Sequence, residues 1–280
     1  MVKKWTTVLE PQNRLFDLKL KEVWKYRDLI SLFVQRDFKT KYKQTILGPL
    51  WFIIQPLLTT IIHTIVFGNL AGLPTDGLPQ FLFYMAGNIP WLYFSTCINS
   101  TSNTFVTNAA VFGKVYFPRL TTPIATVIAS MLNFFIQFAM FLIFETYYLI
   151  KGADIHLTWV AALTPLLIIQ MALLGMGFGI IISSMTTKYR DLQVLVSFGV
   201  SLWMYATPVI YSASTLSPRA YSVMMINPVA PIIELLRYGW LGAGNCDLMY
   251  WAISWIITVM VLLIGIVMFN KVEKTFMDTV

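Results

Sequence analysis

Six apolar runs of bilayer-spanning length leave this chain few ways to fold. The hydrocarbon core of a membrane is about 30 Å thick, and a helix needs about 20 mostly apolar residues to cross it. Of the 280 residues, 57% are hydrophobic and only 12% are charged, so nearly every window beyond residue 45 belongs to a run or to a short connection. The sequence therefore predicts an all-α polytopic membrane protein and excludes a large soluble core. The spans are expected at residues 46–69, 80–104, 123–150, 159–185, 194–211 and 249–269.

A charged octet, TTKYRDLQ at 186–193, orients these spans. Lys188, Arg190 and Asp191 would each cost roughly 2.5–3.5 kcal/mol at the centre of a bilayer, whereas a neighbouring Leu, Ile or Val returns only about 0.3–0.6 kcal/mol. The octet must therefore form a turn in water. Because short connections rich in Lys and Arg stay inside, its two basic residues place that turn on the cytoplasmic side.

The distribution of basic residues predicts that both ends of the chain are cytoplasmic. With six spans, the inner segments hold seventeen of the 20 Lys and Arg residues, and only Lys151, Arg219 and Arg237 lie outside. Moving any one span would invert the later connections. The net charge of +7 has the same explanation and does not point to nucleic acid. In a protein of the cytoplasmic membrane, we expect a cytoplasmic segment at 1–44, a six-span domain at 45–270 and a cytoplasmic tail at 271–280.

An amphipathic helix is expected near the N-terminus. The polar segment before the first span holds eleven basic side chains, and five of its apolar or aromatic residues recur at the spacing i, i+3, i+4, i+7, i+8. This spacing is typical of a helix that lies in the membrane surface. Such a helix could serve only as a basic anchor on anionic lipid, or it could also border a substrate path or a partner. The five residues are Tyr26, Leu29, Ile30, Phe33 and Val34.

The second span is expected to be broken and unusually polar. Asn88 and Pro90 interrupt its middle, and its second half reads STCINSTSNT. A helix of this kind is tolerated in a membrane only where it packs against protein or lines a wet cavity. The first span is likewise expected to be interrupted, at Pro56.

The segment between the fifth and sixth spans is predicted to form short re-entrant helices in the outer leaflet. Residues 212–248 are rich in apolar side chains, but Pro228 and Pro231 divide them into pieces too short to cross a bilayer. Irregular backbone at membrane depth must be covered by protein or line a water-filled path. These pieces are therefore candidates for an outer gate.

The sequence lacks the motifs of an enzyme or of a nucleotide-binding protein. It has no G-x-x-x-x-G-K-[ST] pattern, since Gly113 and Lys114 are followed by Val115, so it does not bind ATP through a P-loop of its own. It has neither H-E-x-x-H nor G-x-S-x-G, and its two cysteines show no metal-ligand spacing. We therefore expect neither catalysis nor a bound metal or cofactor.

The polar side chains at membrane depth are almost all uncharged. Only His63 is ionisable there, so coupling to an ion gradient is poorly supported. Uncharged amides suit a neutral, hydrogen-bonding cargo, although hydrogen bonds between helices would explain them equally well. The amides are Asn88, Asn99, Asn103, Asn133 and Gln137.

Five stretches of the sequence carry a resemblance to a known family. They are RDFKTKYKQTILGPLWFIIQPL at 36–57, GKVYFPRLTTPIA at 113–125, KYRDLQ at 188–193, WMYATPVIY at 203–211 and NPVAPIIELLRYGWLG at 227–242. In this order and at this spacing, they resemble the membrane subunits of bacterial ABC exporters for surface polysaccharides, O-antigen export above all. The resemblance covers nearly the whole chain beyond residue 30.

The resemblance implies a homodimer of six-span subunits that pairs with two copies of a separate ATP-binding subunit. That subunit would bind ATP and Mg²⁺. The cargo would be a lipid-linked polysaccharide, most directly the O antigen of lipopolysaccharide, with wall teichoic acid and capsule as close alternatives.

The resemblance also implies roles for three groups of residues. The connection between the fourth and fifth spans would dock on the ATP-binding subunit through Thr187, Lys188, Tyr189, Arg190 and Asp191. The N-terminal helix would border an inner gate for the lipid-linked end of the cargo through Tyr26, Leu29, Ile30, Phe33 and Arg36. Interfacial belts explain most aromatics at span ends, but some rings would stack on sugar faces in a channel. The channel candidates are Trp51, Asn88, Trp91, Tyr93, Asn99, Trp203, Tyr205 and Tyr211.

Three other interpretations stay open. The same type of exporter could move a drug or a simple lipid, and the polar second span argues only mildly against this. A membrane-embedded glycan-modifying enzyme would need a polar catalytic cluster near one face, and none is evident. A structural scaffold would not explain the broken helices or the re-entrant segment.

Overall fold

The computed structural model describes residues 20–42, 47–186, 189 and 191–279, and these ranges fold as helices joined by turns, without a strand. The α-helices are α1 (Leu20–Lys25), α2 (Arg27–Tyr42), α3 (Trp51–His63), α4 (Gln80–Ser102), α5 (Thr104–Phe112), α6 (Thr121–Ile150), α7 (Thr164–Thr186), α8 (Leu192–Tyr205), α9 (Pro218–Ile226), α10 (Ala230–Leu241) and α11 (Leu248–Thr279). A 3₁₀ turn, Gly48–Leu50, and a π-helical segment, Thr64–Leu70, extend α3 at its two ends. A 3₁₀ segment, Trp159–Leu163, precedes α7. The all-α prediction is confirmed.

Four helical segments of the described ranges are long and apolar enough to cross a membrane. They correspond to the first, third, fourth and sixth predicted spans. The second predicted span is also a long helix, α4, but it is rich in polar residues, and the fifth is the shorter apolar helix α8. The count of six spans therefore stays a prediction. The four segments are Gly48–Leu70, Thr121–Ile150, Trp159–Thr186 and Leu248–Val272.

The prolines inside the first two spans do not break them, so that prediction was wrong. Helix α3 runs through Pro56, and α4 runs through Pro90. Both prolines are buried inside the bundle. Neighbouring helices and local adjustments can satisfy the backbone groups that a proline frees, which is why such helices tolerate proline.

Two helices end at places that differ from the prediction. Helix α8 stops at Tyr205 rather than near residue 211, because Pro208 follows closely and disfavours the α conformation at Thr207. Helix α11 continues past the predicted span to Thr279, because no glycine or proline follows Phe269 to stop it. The predicted connection after the second span also contains a helix, α5, which begins directly after Asn103.

Helix α4 forms the centre of the bundle. Its side chains are buried along almost its whole length, and it packs against α3, α6 and α7. Two glycines allow α7 to approach closely: an added Cβ would lie 2.7 Å from Cβ of Cys97 at Gly175, and 2.5 Å from Cβ of Thr101 at Gly179. Small residues at this spacing bring two helix backbones together. The polar second half of α4 is therefore covered in part by α7, while Thr96 and Ser100 face cavities, so both environments that its composition predicted are present.

The predicted amphipathic helix is two helices, α1 and α2, with Tyr26 between them. Its apolar stripe contacts the protein, since Phe33 is buried and its ring centre lies 5.6 Å from that of Phe117 in the α5–α6 connection. Helix α2 also packs along α6. This position brings α2 beside the polar end of α4.

Candidate functional site

A cavity of about 370 Å³ lies where α2 faces α4, α5 and α6, and we call it the α2 cavity. Most of the described side chains that line it are amides and hydroxyls. They are Arg36, Asp37, Phe38, Thr40, Ser100, Asn103, Thr104, Thr107, Asn108, Thr126, Ala129, Ser130 and Asn133.

A second cavity of about 340 Å³ adjoins the first between α3, α4 and α6, and we call it the α3 cavity. The two cavities share Ser130 and Asn133, so we refer to them together as the polar groove. The lining of the α3 cavity combines aromatic rings with amides and hydroxyls. It consists of Trp51, Phe52, Gln55, Leu92, Tyr93, Thr96, Ser130, Asn133, Phe134 and Gln137.

The hydroxyl-rich sequence around Asn103 produces the α2 cavity. Thr104 Oγ1 donates to the carbonyl of Thr101 at 2.7 Å, and Asn108 Nδ2 donates to the carbonyl of Thr104 at 3.0 Å. Bonds from short polar side chains to the backbone compete with the regular helix ladder. They mark the point where α4 ends and α5 begins, and the polar side chains of this point line the cavity.

Arg36 is held at the α2 cavity by three contacts. Its Nη2 atom lies 2.8 Å from Oδ1 of Asp37, and it donates a hydrogen bond of 3.3 Å to Oδ1 of Asn108. Its guanidinium carbon lies 4.6 Å from the ring centre of Phe33. The ion pair balances the charge of Arg36, and the bond to Asn108 ties α2 to α5.

Two buried amide oxygens of the groove, Oδ1 of Asn103 and Oδ1 of Asn133, have no hydrogen-bond partner in the part of the chain that the structure describes. The amide nitrogen of Asn103 is engaged, since it donates to the carbonyl of Asn99 at 3.1 Å. Buried polar atoms in proteins are nearly always paired. The two oxygens are therefore acceptors that a water, a bound molecule or another donor beyond the described residues would satisfy.

Of the five residues predicted to border the inner gate, one lies in the described lining of this groove and four belong to an apolar cluster. Arg36 lines the α2 cavity, whereas Phe33 is buried behind it. Tyr26, Leu29 and Ile30 pack against the same apolar cluster as Phe33. Their assignment to a gate stays a prediction.

The eight predicted channel residues lie in several places rather than in one. Trp51 and Tyr93 line the α3 cavity. Asn88 is buried between two helices, where its Nδ2 atom donates to Thr60 Oγ1 at 3.4 Å. The backbone carbonyl of Asn99 accepts a hydrogen bond from the side-chain amide of Asn103. Tyr205 is exposed on α8.

The other three channel candidates belong to contacts among helices. Trp91 and Trp203 share an aromatic cluster, with 6.4 Å between their ring centres. The Nε1 atom of Trp203 donates to Oδ1 of Asn227 at 3.2 Å, and Asn227 Nδ2 donates to Thr207 Oγ1 at 2.8 Å. Tyr211 directs its hydroxyl to the sulfur of Met224 at 3.6 Å. A role in a channel stays a prediction for all eight residues.

The predicted contact with an ATP-binding subunit is described only in part. Tyr189 is exposed, and its backbone amide donates to the carbonyl of Met185 at 3.2 Å. Asp191 directly precedes α8 and its carbonyl accepts the amide of Val194 at 3.2 Å. Thr187, Lys188 and Arg190 lie outside the described residues.

Arg237 is the polar residue whose position the sequence analysis missed. It was counted as an outer basic residue, but it is completely buried and pairs with Glu234. A second polar contact lies nearby in sequence, where Ser212 and Ser214 donate hydrogen bonds to the carboxylate of Asp76. The spacing of Glu234 and Arg237, one helical turn apart in an apolar run, was the signal that could have revealed the pair.

Comparison of the sequence with known proteins assigns this chain to a family. The model of the ABC-2 type transporter family matches residues 28–241. The O-antigen export system permease protein RfbA of Klebsiella pneumoniae is 29% identical over 252 residues, which are 90% of this chain and 94% of the relative. RfbA of Myxococcus xanthus is 27% identical over 218 residues, 78% and 80% of the two chains.

A more distant relative is named for a different polysaccharide. The polysialic acid transport protein KpsM of Escherichia coli is 24% identical over 264 residues, covering 89% of this chain and 95% of the relative. The family match spans most of the chain and confirms the resemblance stated from the five sequence stretches. This chain belongs to the ABC-2 type transporter family of membrane proteins.

Proposed function

We propose that this chain is the membrane-spanning subunit of an ATP-driven exporter that moves a lipid-linked polysaccharide, O antigen, across the cytoplasmic membrane. The observation that carries the proposal is the polar groove, in which amides, hydroxyls and the rings of Trp51 and Tyr93 line two adjoining cavities of the helical bundle. Sugars present hydroxyls and apolar ring faces, and such a lining suits both. The names of the relatives in K. pneumoniae and M. xanthus support O antigen as the cargo.

The energy is proposed to come from a separate subunit. Because the sequence holds no P-loop, we assign ATP and Mg²⁺ to two copies of an ATP-binding subunit that pair with a homodimer of this chain. The charged segment at 187–191 is proposed as the contact surface, since a short cluster of charged residues between α7 and α8 offers a soluble partner a defined place to bind.

We propose six spans with both termini in the cytoplasm. Helix α4 has 23 residues and, at about 1.5 Å per residue, is long enough to cross the bilayer. Its polarity is compatible with a span because other helices surround it. Helices α9 and α10 have only 9 and 12 residues, too few to cross, and are proposed to form the outer gate.

Transport is proposed to follow from rigid-body movement of the helices. When the ATP-binding subunits close on ATP, they would push on the turns at 187–191 and open a path between the two protomers. Coupling between two binding sites is reciprocal, so cargo in the groove should change the nucleotide affinity of the complex.

A deletion and complementation experiment tests this function. Removing the gene should abolish surface polysaccharide, and the tagged chain should restore it and co-purify with a P-loop ATPase at a ratio of two to two in native mass spectrometry. A chain that restores nothing and purifies alone under several detergents would refute the proposal. If the deletion strain lost teichoic acid or capsule rather than O antigen, the export function would stand and only the identity of the cargo would change.

A further inference from the structure

We propose that the polar groove selects uncharged glycans, so that this exporter carries a neutral polysaccharide and discriminates against one with a carboxylate on each sugar. The proposal deepens the proposed export function and rests on it. It is argued from the charge balance of the groove and from the hydrogen-bonding groups that the groove leaves unpaired.

The charges of the groove cancel. Among the described lining residues of the α2 cavity, only Arg36 and Asp37 are charged, and they form an ion pair of 2.8 Å. The described lining of the α3 cavity carries no charged residue. A polyanion would have to leave water for a lining whose described residues offer no unpaired cation, which is costly, and Asp37 would repel it.

Two of the unpaired buried atoms in the described lining of the groove, both amide oxygens, are hydrogen-bond acceptors, and a third, the hydroxyl of Tyr93, can donate or accept. Asn103 uses its amide nitrogen on a backbone carbonyl and leaves its buried oxygen without a partner. The side-chain amide of Asn108 is fully engaged, since its oxygen accepts from Arg36 and its nitrogen donates to a backbone carbonyl. The buried side-chain oxygen of Asn133, in contrast, has no partner among the described residues. Sugar hydroxyls can donate to these oxygens, whereas an ionised carboxylate can only accept.

Asn133 is the residue most suited to test this selectivity. It lies at the junction of the two cavities, so a sugar chain that occupies both would pass it. The exposed ring of Trp51 also lines the α3 cavity and offers a face for stacking. Changing the amide to an apolar or a charged group alters the junction without touching the ion pair.

Binding to the full chain in phosphatidylcholine nanodiscs measures the preference directly. The two probes are a neutral mannose tetrasaccharide and a sialic acid tetrasaccharide, and saturation-transfer NMR detects the weak binding expected of single sugar chains. We expect the neutral probe to bind at least about tenfold more tightly. Asn133→Leu should weaken its binding by about three- to tenfold, the effect of losing one hydrogen bond. Asn133→Lys should raise the binding of the sialic acid probe.

A matched variant controls for general effects of replacing an amide. Asn69 lies at the exposed end of the π-helical segment, away from the groove, so Asn69→Leu should leave both affinities unchanged. Equal or tighter binding of the sialic acid probe to the unmodified chain would overturn the proposal. So would the absence of binding by either probe, or an Asn133→Leu variant that behaves like Asn69→Leu.

The outcomes separate this inference from the proposed function. If the chain pairs with an ATPase and restores surface polysaccharide but prefers the sialic acid probe, the selectivity is wrong and the export function stands. If the chain prefers the neutral probe but neither pairs with an ATPase nor restores polysaccharide, the export function fails and the groove remains a site for neutral glycans.

Discussion

Arg237 and Glu234 form an ion pair of 2.8 Å in which 0% and 1% of the two side chains are exposed. Arg237 also donates to the carbonyl of Pro208 at 3.0 Å, and its guanidinium carbon lies 3.9 Å from the ring centre of Phe83 on α4. Glu234 accepts the backbone amide of Asn245 at 3.3 Å. One buried pair therefore joins α10 to α4, to the segment after α8 and to the loop before α11.

Removing the cation from this pair should destabilise the protein strongly. Arg237→Met leaves the Glu234 carboxylate buried without its counter-charge, at an expected cost of about 3–5 kcal/mol. The loss should appear as a lower unfolding temperature of the detergent-solubilised chain in a thermal-shift assay. Arg219→Met, at an exposed arginine on α9, should change the unfolding temperature little.

A double variant separates the charge effect from the loss of packing. When both partners become apolar, as in Glu234→Met with Arg237→Met, most of the lost stability should return, because no charge is left unpaired. The interpretation fails if Arg237→Met is no more harmful than Arg219→Met, or if the double variant is less stable than Arg237→Met alone.

A side chain at Gly175 should separate α7 from α4. The added Cβ would meet Cβ of Cys97 at 2.7 Å, so Gly175→Ile overpacks the interface and should cost about 3 kcal/mol. Gly199 on α8 has no atom within 4 Å of an added Cβ. Gly199→Ala should therefore be neutral or stabilise the helix by about 0.5–1 kcal/mol. Size-exclusion profiles recorded after stepwise heating would give the unfolding temperature of each variant. Equal unfolding temperatures for Gly175→Ile and Gly199→Ala would contradict the close contact between α7 and α4.

Loss of the Arg36 guanidinium should impair export while the fold persists. Arg36→Gln removes the ion pair with Asp37 and the link from α2 to Asn108, so α2 is held less firmly beside the groove. We expect surface polysaccharide to fall about fivefold, the factor that corresponds to about 1 kcal/mol. Arg27→Gln is the control, since Arg27 lies on the same helix with its side chain largely exposed. Similar export by the two variants would exclude a special role for Arg36.

Charge reversal in the turn between α7 and α8 should uncouple the ATP-binding subunit. Arg190→Glu and Asp191→Lys change the proposed contact surface without adding a charge to a helix core, so both variants should still insert in the membrane. Co-purification of the ATPase and surface polysaccharide should both be lost. Lys271→Glu on the exposed face of α11 provides a control for charge reversal as such. Normal transport by both turn variants would count against this contact.

The lengths of the apolar runs predicted the long helices of this fold. The sequence could not predict where tertiary packing overrides the local tendency of a segment to break or continue a helix. The sequence predicted helix breaks at Pro56 and Pro90, because an isolated helix would lose a hydrogen bond at each proline. Both prolines lie inside continuous helices. Conversely, the hydroxyl-rich end of α4 gave no sign of the second helix that follows Asn103. The tertiary neighbours decide these outcomes, and a local pattern does not contain them.

The chemistry of the groove could be predicted better than its shape. Asn103, Asn133 and Gln137 stood out as uncharged polar residues at membrane depth, and all three line the groove. Trp91 and Trp203 stood out equally, but they pack in an aromatic cluster. Whether a polar or aromatic side chain faces a cavity or another helix depends on which helices pack together, and the contacts of α2 and α5 with the bundle bring together residues far apart in sequence.

The hydrogen bonds of Asn227 connect the C-terminal end of α8 to the corner between α9 and α10, so we expect α8 to act as a mechanical link. This helix begins directly after Asp191 in the proposed contact turn, and its 14 residues at about 1.5 Å each span about 21 Å. At the far end, Asn227 joins Trp203 and Thr207 to the corner between α9 and α10. Because a hydrogen-bonded helix barely changes length, we expect a displacement of the turn to be transmitted along α8 to the corner between α9 and α10. If the turn is the contact with the ATP-binding subunit, α9 and α10 would need no sensor of their own, since they would move together with that subunit.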